Sequence, residues 1–172
     1  MNEKNPMRKM KLEKIVLSCG ATGPDLEKAK KLLEILTERK AQITHSGPST
    51  RIPNFNVKPD MPLGASVTLR GREAVDILKR MLVAIDNKLR KKQIAKNGFS
   101  FGIHEYIEIP GIEYKREIGI RGLNVTASFI RAGVRVKRKK IKAGRMPQRQ
   151  YVQPAEIMTF MKENFKTEFT GK

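Results

Sequence analysis

ASVTLRGREAVDILKRMLVAIDNKLRK, residues 65–91, changes its hydrophobic period at a glycine. Before Gly71, Val67 and Leu69 alternate with Thr68 and Arg70, the period of a strand with one buried face. After it, Val75, Leu78, Leu82, Ile85 and Leu89 recur at helical spacing and predict a helix over Arg72–Lys91. A half-exposed strand leading into an amphipathic helix is a unit of α+β architecture, in which helices cover one face of a sheet. The end of this helix is basic at Lys88, Arg90, Lys91 and Lys92. Those charges either complement the negative end of the helix dipole or extend a phosphate-binding surface.

Working outward, a strand is expected over Lys11–Ser18, broken by Gly20 to Gly23. Pro24 then opens a helix with Leu26, Ala29, Leu32, Leu33 and Leu36 on one face, and Lys28, Lys30, Lys31 and Glu34 on the other. A second strand falls at Gln42–Ser46, and residues 47–63, with four prolines, read as an extended loop. After Asn97-Gly98, strands are expected over Ser100–Ile107 and Leu123–Arg131, the latter continued by Val134–Lys137. A last helix from Pro154 turns Ile157, Phe160, Met161 and Phe165 to the core. The reading is one α+β domain over 1–172: a largely antiparallel sheet, helices packed on one face, the open face binding RNA. It carries a polar lead at 1–9, the loop at 47–63 and a flexible basic segment at 131–149. Eight methionines and no tryptophan suggest an aliphatic core.

Charge indicates the partner. The 172 residues hold 36 Lys and Arg against 17 Asp and Glu, a net charge of +19. Nine cations and no acid lie in RAGVRVKRKKIKAGRMPQR, Arg131 to Arg149. A self-repelling run of this kind has its counterpart in a polyanion, so nucleic acid comes first. Thr68 and Arg70, on the open face, offer a hydroxyl and a guanidinium suited to 2′-hydroxyl and phosphate contacts. No apolar stretch approaches bilayer length and no apolar signal core is present at the N-terminus, so neither a membrane nor a secretory route is expected, and a cytosolic location is.

Catalytic chemistry finds little support. Cys19 lies in the apolar run Ile15 to Cys19 and reads as a buried small side chain, and a single cysteine allows no intrachain disulfide. With His45 and His104 it cannot complete a closed zinc site. Glu105, Glu108, Glu113 and Glu117 sit beside Lys115 and Arg116 as ordinary surface compensation. CGATGPD (Cys19 to Asp25) lacks the GK[ST] ending of a P-loop. No enzyme, metal, cofactor or small-molecule substrate is expected.

Two RNA-binding comparisons arise. Gly98-Phe99-Ser100-Phe101 resembles the G-F-[GA]-F signature of the RNA-recognition motif, which would make the chain a free RNA-binding regulator. Against this, Asn97 replaces the leading basic residue, and the match follows the second helix instead of preceding it. A closer resemblance rests on NPMR (5–8), KIVLS (14–18), VTLRG (67–71), FSFGIHEYIEIPGIEY (99–114), IGIRGLNV (118–125) and RAGVRVKRKK (131–140). In this order the blocks resemble the non-bacterial version of the ribosomal protein family that binds 5S rRNA, the fifth of the large subunit in the universal scheme.

The resemblance implies a structural constituent of the large ribosomal subunit acting in translation from the central protuberance. Its partners would be 5S rRNA, large-subunit rRNA, P-site tRNA, a neighbouring 5S rRNA-binding ribosomal protein and a small-subunit head protein at an intersubunit bridge. By position, 5S rRNA contacts would fall on Ser18, Phe55, Thr68 and Arg70. Ser18 stands where the family commonly has Asn, a departure that bears on bidentate hydrogen bonding. The loop near the tRNA would present Arg51, Asn54, Phe55 and Lys58. The bridge segment would present Arg131, Arg135, Lys137, Arg138, Lys139, Lys140, Lys142 and Arg145. Across 38–48 the family's TGQKP pattern is absent, and no residue is carried over.

Overall fold

The alternation around Thr68 is realised as a strand in a six-stranded sheet. A computed structural model describes residues 5–171, so Met1 to Lys4 of the polar lead lie outside the described residues. The elements are β1 (Met10–Gly20), α1 (Pro24–Thr37), β2 (Gln42–His45), β3 (Pro62–Leu69), α2 (Arg72–Val83), β4 (Lys88–Arg90), β5 (Ile94–Ala95), β6 (Gly98–Ile103), β7 (Leu123–Arg131), α3 (Arg135–Arg138), α4 (Pro154–Phe165) and β8 (Glu168–Thr170). The sheet order is β2-β3-β1-β7-β6-β5, with β4 and β8 forming a separate parallel pair. This is the α+β class expected.

The residues cluster into two compact units. The first comprises the chain up to residue 15, residues 70–101, and the chain from 126 onward. The second comprises 16–69 and 102–125.

In the second unit, α1 lies over β3 and buries Leu26, Ala29, Leu32, Leu33 and Leu36, the face expected from their spacing. Leu17, Cys19, Ala65, Val67, Leu69, Leu123 and Val125 supply the opposing aliphatic surface. Gly64 permits the close strand contact here, since a Cβ on it would stand 2.7 Å from the Cys19 carbonyl oxygen. Tyr106 is fully buried, and its hydroxyl accepts a hydrogen bond from the Lys115 amide at 2.9 Å. That anchoring turns the chain into a short 3-10 helix at Tyr106–Glu108, so the strand expected to reach Ile107 stops at Ile103.

Cys19 is buried as expected, and its Sγ donates to the Gly122 carbonyl at 3.2 Å. Desolvation pushes the thiol pKa up, with the Arg121 charge opposing it weakly. Ionisation is therefore easier unfolded than folded. The associated stability is intact at neutral pH and is lost as pH rises from the ordinary thiol range through the raised folded value. A thiol reagent such as Ellman's should react with Cys19 slowly in the native protein at pH 8 and at once in denaturant; rapid native labelling would show that this strand opens readily.

The first unit departs from the aliphatic core suggested by composition. Phe99 stacks with Phe101 at 6.0 Å and with Phe129 at 5.9 Å, and Phe129 meets Phe160 edge-on at 5.6 Å. Phe99 and Phe101 are 2% and 4% exposed. The aromatics of the GFSF segment therefore serve the core, and they cannot stack on bases as an RNA-recognition motif requires.

Two boundaries also move. α2 ends at Val83 instead of Lys91, because Asp86 and Asn87 take left-handed conformations (φ 53° and 56°) and the chain emerges as β4 beside β8. Leu89 is buried by that strand pair's geometry and not by a helix. Its four-residue spacing from Ile85 fits both. Lys88, Arg90, Lys91 and Lys92 consequently complement no helix end. After β7, Gly133 (φ 93°) turns the chain, and the expected strand over Val134–Lys137 is instead the short helix α3.

Candidate nucleic-acid interface

In the second unit, the residues alternating with the buried ones on the strands form a polar face. Thr68 is exposed between buried Val67 and Leu69, and Ser18 is half-buried between Leu17 and Cys19. Antiparallel register places Gln42 opposite Ser66 and Thr44 opposite Gly64, and exposed Asn124 lies between buried Leu123 and Val125. The strand segments of this unit contain neither a carboxylate nor a lysine or arginine. Hydroxyls and amides donate and accept, so the face suits riboses and phosphates and repels neither. Arg70 follows β3 directly and is exposed. Sequence reading selected Ser18 and Thr68 but missed Gln42, Thr44, Ser66 and Asn124. The same alternation with buried neighbours marks the strand residues among them.

The proline-rich loop is more ordered than its composition implies. Ser46 is buried at its base; its Oγ donates to the Lys58 carbonyl at 2.7 Å and accepts from the Met61 amide at 2.9 Å. Ile52 and Val57 exchange two backbone hydrogen bonds of 3.1 Å, and a 3-10 turn at Pro53–Phe55 closes the tip. The tip presents Phe55 at 78% exposure, flanked by exposed Arg51, Asn54 and Lys58. The Phe55 ring therefore faces outward instead of packing under the loop.

The basic segment belongs to the first unit and is anchored at its root. Arg131 is a correction to the surface reading: its side chain is 7% exposed and its guanidinium grips Glu156 at 2.5 Å. It also donates to the Arg149 carbonyl at 3.3 Å, while the Gln150 amide donates to the Ala132 carbonyl at 2.8 Å. Arg138 pairs with Glu13, whose side chain is 8% exposed. Arg131 is therefore a structural residue, and Arg138 is partly so. Arg135, Lys137, Lys139, Lys140, Lys142 and Arg145 are exposed and, among the described residues, pair with no carboxylate.

Among the described residues, no cluster of histidine, cysteine or acidic side chains could hold a metal ion, and no helix is long and apolar enough to cross a membrane. The constellation can hold a polyanion, and its chemistry is that of binding. Comparison with known proteins agrees. The model of the C-terminus of the ribosomal uL5 family matches residues 62–148. Proteins named large ribosomal subunit protein uL5 are similar over most of their lengths. That of Nanoarchaeum equitans is 38% identical over 92% of this chain and 95% of its own. That of Methanosphaera stadtmanae is 37% identical over 94% and 96%, and that of Sulfurisphaera tokodaii 39% over 94% and 92%. With matches of this extent across both units, the chain belongs to the uL5 family of ribosomal proteins.

Proposed function

We propose that the chain is a structural, non-catalytic constituent of the large ribosomal subunit that holds 5S rRNA in the central protuberance. The observation that carries this is the carboxylate-free hydroxyl and amide face around Ser18 and Thr68, in a chain similar over most of its length to large-subunit proteins. Arg70 adds a phosphate contact beside it. The loop tip, with Phe55 exposed between Arg51 and Lys58, is suited to a flat base or ribose and meets P-site tRNA. The cations from Arg135 to Arg145 meet large-subunit rRNA and a protein of the small-subunit head across an intersubunit bridge. A second 5S rRNA-binding protein neighbours the chain in the protuberance. Its location is the cytoplasmic ribosome.

Co-sedimentation of tagged chain with large subunits after a high-salt wash tests the assignment. Retention is expected, and quantitative release into the free pool would point to a dissociable regulator. Arg70→Ala should weaken binding to isolated 5S rRNA while shifting stability by no more than about 0.5 kcal/mol, because an exposed side chain with no special contact contributes little to folding. Unfolding titrations and filter binding on the same preparation separate the two effects. A large stability loss with unchanged RNA affinity would assign Arg70 to the fold.

A further inference from the structure

We propose that the first unit carries a pocket for one unpaired RNA nucleotide, with the phosphate on Lys96, Lys137 and Arg145 and the base against Tyr151. This deepens the reading above and rests on it, since the ligand is RNA. The pocket is a cleft of about 470 Å³ formed by the turn between β5 and β6, α3, and the returning arm of the basic segment. It shares Asn97, Lys137, Met146 and Tyr151 with a second cleft of about 260 Å³. Spaces of this size hold small ligands and exclude a duplex, so an extruded or loop nucleotide fits where a helix does not.

The lining chemistry is one-sided. Three cations and the amides of Gln148 and Gln153 face the cleft, and no carboxylate among the described residues does. Mutual repulsion of the cations is relieved by an anion, while side-chain amides match the donor and acceptor edges of a base. The walls are held by the backbone. The Gly144 amide bonds to the Val136 carbonyl at 3.0 Å, and a Cβ on Gly144 would stand 2.7 Å from Val136 Cγ1. That closure brings Lys137 and Arg145 to one cleft. On the other side, the Asn97 amide bonds to the Val152 carbonyl at 3.1 Å, and the Val152 amide donates to Asn97 Oδ1 at 2.7 Å. This ties the Tyr151 arm to the turn bearing Lys96. A cleft whose walls are already fixed spends little ordering entropy on binding.

The test uses the full chain and single-stranded hexauridylate, with 5S rRNA binding measured in parallel. Irradiation at short ultraviolet wavelength should cross-link the oligomer to the peptide containing Tyr151. Tyr151→Ala should weaken hexauridylate binding about tenfold, the loss of one stacked base, and Tyr151→Phe should retain it. Lys137→Gln with Arg145→Gln should reduce the slope of log affinity against log salt by about 1.4, at roughly 0.7 per single-strand phosphate. Circular dichroism on each variant verifies the fold, and Tyr151→Phe with the charge variants carries the test should Tyr151→Ala not fold. Unchanged affinity and salt slope in these variants, or cross-links confined to other peptides, overturn the pocket. If the parent chain binds 5S rRNA but not hexauridylate at this cleft, the pocket falls alone. If it binds neither, the RNA-binding reading falls first and takes the pocket with it.

Discussion

Raising monovalent salt from about 50 to about 200 mM should lower the affinity of the chain for 5S rRNA by roughly three to five decades, the response expected when about six to ten phosphates are neutralised on a duplex-like RNA. The net charge of +19 and the exposed cations from Arg135 to Arg145 supply contacts enough for such a slope. Each cation releases condensed counterions, so the effect grows with the number engaged and not with the area buried. The neutral face around Thr68 contributes little to the slope and instead sets register through hydroxyl contacts to riboses and phosphates. Filter binding across a salt series checks this. An affinity that hardly changes would make stacking on Phe55, or close packing of the sheet face, the principal term.

Glu156→Ala should destabilise the protein by about 3 kcal/mol. Removing the carboxylate leaves the Arg131 guanidinium, 7% exposed, with only the Arg149 carbonyl as a partner among the described residues, and unpaired buried charge is the costly outcome. The lower part of the usual range applies because the Glu156 side chain is 46% exposed and already partly screened. The same carboxylate accepts from the Gln153 amide at 3.1 Å, capping α4, so some of the loss comes from the helix start. For a chain of this size the midpoint should fall by roughly 10 °C. Pairing Glu156→Leu with Arg131→Met should restore most of it, since an apolar replacement leaves no charge to desolvate. A midpoint within about 2 °C of the parent for Glu156→Ala would show that Arg131 finds other partners.

Periodicity was readable wherever one face of an element is buried and the other is wet. The face of α1 from Leu26 to Leu36, the alternation through Thr68 and the bounds of β7 all follow from apolar spacing alone, because burial is what those residues contribute. The six ordered blocks carried the family, and the excess of cations carried the class of partner. Other features were decided only by contacts distant in the chain. Leu89 satisfies a helical spacing from Ile85, yet it is a strand residue because β8 returns beside it; nothing local to Lys88–Arg90 encodes that pairing. Phe99 and Phe101 match a base-stacking signature, but the aromatic cluster with Phe129 and Phe160 draws them inward. Arg131 reads as the first cation of a flexible run, and only the fold brings Glu156, 25 residues later, against it. Local sequence determines which side of an element is apolar, because each side chain's hydration is its own property. Which polar or aromatic groups are buried depends on the partners the fold supplies, and that only the tertiary structure decided.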